Sequence, residues 1–235
     1  MTIRENLEAV RERMRLACER CGRAEEEVTL IAVTKYVETE RILEAVNAGV
    51  TEIGENRAQE FTEKLTFYKQ HGLRAHFIGQ LQTNKVKYIC GKADLIQSVD
   101  REPLLDAIGG YAERNGIVQD ILIEVNIGRE SQKGGVLPEA LPALVERIAE
   151  KPGLCLHGLM CVPPAIEREA VRPYFREMKK WYERLKSAYP TLPIDTLSMG
   201  MSHDFDVAIE EGATTVRVGT AVFGPRKMTG GQQNG

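Results

Sequence analysis

The 235-residue chain is 43% hydrophobic and 28% charged, and its 31 basic and 34 acidic side chains leave a net charge of −3. That length allows one substantial core, and a nearly balanced charge without a polybasic run excludes an electrostatic nucleic-acid binder. No apolar stretch approaches the roughly 18 residues of a membrane span. The charged start "MTIRENLEAVRERMRLACERC" is unlike a signal peptide and the five cysteines are scattered, so the chain reads as a cytoplasmic protein with no disulfide framework.

Helical periodicity opens the chain over about 3–20. Cys18 and Cys21 form a C-x-x-C near the end of this helix, with no second pair and no neighbouring histidine, so a plain surface or packing role is expected rather than metal or redox chemistry. His71, His76, His157 and His203 are too dispersed in sequence to spell a metal site. Strand-like runs then recur in the order "TLIAVT", "TEIG", "AHFIG", "LIQSV", "ILIEVN", "LHGLMCV", "IDTLSM" and "TVRVG". The segments between them, from "ETERILEAVNAG" to "HDFDVAIEEG", read as crossover helices. On the sixth of these, Phe175, Trp181 and Tyr182 read as barrel-packing surface.

Eight strand-helix units in a chain of this length predict a (β/α)8 barrel, with a doubly wound open sheet as the alternative. Only "AVFGPRKMTGGQQNG" follows the last strand, with nothing helical expected in it, so the extra N-terminal helix is expected to cover the seam. The barrel domain spans 1–226, and 227–235 read as a disordered tail whose "MTGGQQ" resembles part of a common epitope tag.

In such a barrel, function sits at the C-terminal ends of the strands. Lys35, Gly54-Glu55-Asn56, Gly79-Gln80, Asn126, Ser198-Met199-Gly200 and Gly219-Thr220 lie there. Alternation in "TVRVG" turns Arg217 inward, where a permanent cation needs an anion, an acceptor or water; a structural ion pair and a ligand contact are both open. The small-residue loops "SMGMSHD" and "VGT" follow the last two strands, the usual phosphate position of this barrel. Ser202 alternatively reads as the N-cap of the following acidic turn, and Asn56 either as an N-cap or as a contact for a ring hydroxyl. Lys35 is either an exposed lysine or a Schiff-base amine. Tyr36, next in the strand, points away from it into packing.

The segments "LIAVTKYV", "IGENRAQE", "HFIGQLQTNKVKYI", "LIQSVD", "ILIEVNIGRESQKGGV", "HGLMCVPP" and "LSMGMSHDFDVAIEEGATTVRVGTAVFG" resemble, in order and over nearly the whole chain, the pyridoxal phosphate homeostasis protein family, the YggS/PROSC group. The resemblance implies a barrel like the N-terminal domain of alanine racemase, binding pyridoxal 5′-phosphate (PLP) as an internal aldimine on Lys35. It further implies that Ser198, Met199, Gly200, Gly219 and Thr220 hold the phosphate, that Arg217 faces the pyridine nitrogen and that Asn56 lies near the ring. His203 receives no role. An arginine at that nitrogen makes the ring a weaker electron sink, and the chain has no length for the β-rich second domain that supplies a racemase with its tyrosine. The expected function is therefore a PLP carrier in vitamin B6 homeostasis, without catalysis, serving PLP-requiring apo-enzymes. A PLP-dependent racemase is the alternative, and a cofactor-free Schiff-base aldolase the third reading. A monomer is expected.

Overall fold

A computed structural model describes residues 1–225; the tail expected over 227–235 lies outside the described residues. Helix α1 (Ile3–Cys21) begins at a capping box in which the Thr2 hydroxyl accepts from the Glu5 N–H and the Glu5 carboxylate accepts from the Thr2 N–H. It ends at Gly22, whose φ of 68° is the left-handed conformation that releases a chain from a helix. Eight strands follow: β1 (Thr29–Val33), β2 (Glu52–Glu55), β3 (Arg74–Phe77), β4 (Leu95–Val99), β5 (Gln119–Val125), β6 (Leu154–Cys161), β7 (Thr196–Met201) and β8 (Thr215–Val218). Between them run α2 (Thr39–Asn47), α3 (Ala58–Gln70), α4 (Val86–Ile89), α5 (Glu102–Arg114), α6 (Leu141–Ala149), α7 (Arg172–Ala188) and α8 (Phe205–Glu210).

Every neighbouring pair of strands is parallel, and β8 pairs with β1 to close the barrel. Closure settles the choice between barrel and open sheet. Successive residues of the strands alternate between the two sides of the barrel wall. The main core lies between sheet and helices and takes in Ile53, Ile96, Ile121, Ile123 and the helix residues Phe61, Leu105 and Phe175. A separate cluster of Leu95, Leu122 and Met160 fills the barrel interior. As expected for the α7 aromatics, Phe175 and Tyr182 are buried and Trp181 packs against that core.

The N-terminal helix covers the seam. Asn6 on α1 donates to the Val222 carbonyl at 2.9 Å, and Arg13 pairs with Asp206 of α8 at 3.3 Å while its guanidinium lies over the Phe205 ring. The expectation that nothing helical follows β8 is corrected by α9 (Thr220–Phe223). This single turn is too short to show a period in sequence, and its Val222 and Phe223 are buried among the core residues.

Candidate functional site

The barrel register brings three candidate residues together at the seam. Val33 pairs with Gly54, so Lys35 and Asn56, each two residues further on, leave the sheet side by side. Val218 pairs with Ala32 on the other flank, and a Cβ added at Gly219 would lie 3.3 Å from Val33 Cβ. Lys35, Asn56 and Gly219 thus stand at three adjacent strand ends.

Lys35 is half-buried and sits in a turn closed by the Val37 N–H donating to the Thr34 carbonyl at 3.0 Å. Tyr36 follows at φ 60°, a conformation costly for a side chain of this size. It is 58% exposed, which corrects its expected place in packing: the strand ends at Val33, so alternation no longer applies. Two clamps from α3 hold the turn. Lys64 Nζ donates to the Thr34 carbonyl at 2.9 Å, and Glu60 Oε2 accepts the Tyr36 N–H at 2.7 Å. Lys64 also pairs with the fully buried Glu55 at 2.8 Å, and Glu55 Oε1 accepts from Thr34 Oγ1 and Tyr68 Oη at the same distance. Burial and the adjacent Glu55 carboxylate push the Tyr68 phenol up, so it remains a donor.

Asn56 does not cap α3. That helix starts after Arg57 without a side-chain cap, and the buried Asn56 Oδ1 has no hydrogen-bond partner among the described residues. Ser202 does not cap α8 either, for Asp204 occupies that position. The Ser202 hydroxyl instead accepts the N–H groups of Gly219 and Ala221 at 3.2 and 3.3 Å, tying the loop after β7 to the loop after β8. Sequence reasoning missed this contact because a serine before an acidic turn looks like a local cap. Thr220 is exposed between the two amides.

Inside the barrel, Arg217 is 4% exposed and makes no salt bridge among the described residues. Of the open alternatives for Arg217, a structural ion pair is absent among the described residues, and a chain of hydrogen bonds takes its place. Arg217 Nη2 donates to the Cys161 carbonyl at 2.8 Å, and Nη1 donates to Ser198 Oγ at 2.6 Å. Ser198 donates to Gln97 Oε1 at 2.7 Å, Gln97 Nε2 meets His76 Nδ1 at 3.1 Å, and His76 Nε2 meets Glu52 at 2.8 Å. An amide nitrogen can only donate, so His76 Nδ1 accepts and its proton sits on Nε2, facing Glu52. Every donor points from Arg217 towards Glu52. Burial lowers the Arg217 pKa while Cys161, Glu124 and Asp204 oppose it, and burial raises that of Glu52 while His76 and Arg74 prevail and hold it below the usual carboxylate range. Ser198, Met199 and Gly200, expected in a loop after the seventh strand, lie within β7 itself; the Ser198 hydroxyl is committed to this chain and Met199 is buried. Gly200, at φ 90°, has no room for a Cβ, which would lie 2.5 Å from Ala208 Cβ.

Glu124 alternates with interior Leu122 and so also faces inward. Glu124 Oε1, Asp100 Oδ2 and Gln80 Nε2 converge at 4.0, 3.3 and 3.8 Å from the point where a Cβ on Gly134 would lie. Burial, with Asp100 adding repulsion and Arg217 opposing, raises the Glu124 carboxyl to about 7.

The sequence matches the family described as "Alanine racemase, N-terminal domain" over residues 6–227. A protein of Aquifex aeolicus named pyridoxal phosphate homeostasis protein is 52% identical over 224 residues, covering 95% of this chain and 98% of the relative. The chain belongs to the pyridoxal phosphate homeostasis protein family. Two solved structures of PipY from Synechococcus elongatus resemble this one at 30 to 31% identity. The PLP-bound form gives a TM-score of 0.82 and the form without PLP 0.84, each covering 95% of this chain and all of the other. The family's barrel is therefore present here over its full circuit.

Two outcomes follow from the site's electrostatics. Lys64→Met strands the Glu55 carboxylate and is expected to cost about 3–5 kcal/mol by urea unfolding; a loss under 1 kcal/mol refutes the clamp. The Glu124 pKa is raised on folding, so stability is undiminished below the unfolded value near 4.5 and falls as pH rises through 7. Glu124→Gln should thus be more stable than the parent at pH 8, by roughly 1–3 kcal/mol, and nearly equal to it at about pH 4, below the unfolded value. No gain at pH 8 contradicts the inward, desolvated placement.

Proposed function

We propose that this chain binds PLP, holds it covalently through Lys35, and serves vitamin B6 homeostasis as a carrier without catalysis of its own. The observation that carries the reading is the convergence of Lys35, Asn56 and Gly219 on three adjacent strand ends, above a buried arginine. PLP, when bound, supplies an aldehyde that a lysine amine can capture. The residues present fit such a group. Asn56 Oδ1 is a buried acceptor with no partner among the described residues, suited to a ring hydroxyl. The Gly219 and Ala221 N–H groups are held only by long bonds to one hydroxyl and are donors a phosphate can claim, with Thr220 beside them and the backbone of Ser198, Met199 and Gly200 opposite. Arg217 presents a permanent cation to the pyridine nitrogen and keeps a proton off it. The family name and the PLP-bound PipY structure support the same ligand.

A PLP-dependent racemase is the second reading, favoured by Glu124, an inward carboxyl that titrates near 7 as an acid or base would. PLP-requiring apo-enzymes are the partners a carrier would serve, and a monomer suffices for the role.

Borohydride treatment of the PLP-loaded chain is expected to fix one cofactor on Lys35, read by mass spectrometry, and Lys35→Ala is expected to abolish both this label and the visible chromophore. A label on Lys85 or Lys87 would overturn the assignment. Turnover of a panel of amino acids that is lost in Glu124→Gln would favour the racemase over the carrier.

A further inference from the structure

At the opposite, N-terminal end of the barrel, side chains from β5, β6 and the residue preceding β7 gather around one imidazole. His157 Nε2 lies 3.3 Å from Asp120 Oδ1, and its Nδ1 lies 3.4 Å from Asp195 Oδ1. Cys155 Sγ joins them: single donor atoms of Asp120, Cys155 and His157 all lie within 4.8 Å of one another. A break in strand register creates the arrangement. Asp120 pairs with Cys155 and Ile121 with Leu156, but Leu122 pairs with Gly158, so His157 is the extra residue of a β-bulge. Bulges re-aim side chains, and here the bulge turns an imidazole between Asp120 of β5 and Asp195, which directly precedes β7. Gly158 absorbs the distortion at φ 145°, where a Cβ would lie 1.9 Å from the Thr196 carbonyl oxygen.

We propose that Asp120, Cys155 and His157 form a binding site for a divalent transition cation of the zinc class, with Asp195 as the carboxylate that orients the histidine. The donor set is one thiol, one imidazole nitrogen and one carboxylate oxygen, the mixture that zinc and its neighbours select, with a fourth position left for water. Tetrahedral zinc separates nitrogen and oxygen donors by about 3.4 Å and nitrogen and sulfur by about 3.6 Å, from the usual bond lengths. The observed 3.3 Å between Nε2 and Oδ1 fits the first without rearrangement. Asp195 sits where metal-binding histidines carry their second carboxylate, and the Thr196 hydroxyl fixes it in turn, donating to Asp195 Oδ1 at 2.7 Å. A cleft of about 290 Å³, lined by Asp120, His157, Asp195, Glu27 and Arg74, opens the site to solvent, and Arg74 is itself paired with Glu52 at 3.2 Å. On binding, the Cys155 thiol gives its proton to solvent and the imidazole gives its lone pair to the cation. The site spans residues 120, 155 and 157, a spacing in which no short metal motif is visible.

Cobalt(II) is the probe. Added to the metal-free full chain at one equivalent, it is expected to produce the near-ultraviolet thiolate-to-cobalt band and the visible bands of a tetrahedral ion, both removed by equimolar zinc. Cys155→Ser should abolish the thiolate band, Asp120→Asn and His157→Ala should each weaken binding at least about 10-fold, and Asp195→Asn should weaken it about 10-fold with the band retained. Far-ultraviolet circular dichroism of each variant, with the borohydride label at Lys35, verifies that the barrel is intact. A wild-type chain that gives no thiolate band would overturn the site and leave His157 as a structural bridge between two carboxylates. A band that survives Cys155→Ser would overturn it equally, by placing the cation on another cysteine.

Discussion

Pairing of the last strand with the first is the constraint on which the candidate site depends. Thr29 to Ala32 of β1 run in register with Thr215 to Val218 of β8, and no hairpin could bring these ends together in parallel. Closure sets the lysine turn beside the glycine loop. Because all eight strands point the same way, each contributes one or two residues to the same rim, and the rim is assembled from segments remote in sequence. Slipping β8 by one residue would turn Arg217 out of the barrel and put a valine in its place. The α1 contacts to α8 and α9 across this seam therefore stabilise the site as much as the fold.

Closure also creates a problem of charge. A guanidinium inside a barrel loses its hydration, and burial of an ion costs several kcal/mol before any partner is counted. The structure meets that cost without placing a carboxylate against Arg217. Aligned hydrogen bonds through Ser198, Gln97 and His76 lead to Glu52, while Glu124 and Asp204 act on the cation from a greater distance. A second buried network lies on the other side of the same wall, where Glu55 binds Lys64, Tyr68 and Thr34. Strand β2 serves both, since Glu52 faces in and Glu55 faces out, and Asn56 follows at the rim. The run "GEN" thus spends three consecutive residues on space for the Ile31 and Ile78 side chains, an outer ion pair and a candidate ligand contact.

The barrel and the inward turn of Arg217 were legible because both rest on periods: eight strand runs with helical spacers, and alternation within "TVRVG". Contacts that depend on two remote loops were not. Ser202 reads as a local cap, and only closure shows that its partners are Gly219 and Ala221. Asn56 misleads in the same way, because a capping residue ahead of a helix carries no mark that its oxygen stays open. Tyr36 defeated alternation because the strand stops at Val33, and a tyrosine at positive φ has no sequence signal; the clamps that hold it come from α3. The residue pattern placed Lys35 at the C-terminal end of the first strand and left open whether it is an exposed lysine or a Schiff-base amine. Its assignment came with the family resemblance, and the register then placed it beside Asn56 and Gly219.

The interior chain from Arg217 to Glu52 runs from the rim towards the cleft at the base, because Arg74, paired with Glu52, lines that cleft. Such a connection invites the idea of communication between the two ends of the barrel. Transmission, however, requires an element with two arrangements of similar energy. This chain has one. Arg217 can donate and never accept, so the Ser198 hydroxyl must point to Gln97, the amide must present its nitrogen to His76, and the histidine proton must face Glu52. Reversing any link would leave two donors facing each other inside the barrel, at the cost of a buried unmade hydrogen bond for each. The chain therefore works as a fixed strut: it orients the buried guanidinium beneath the rim and isolates it from changes at the base.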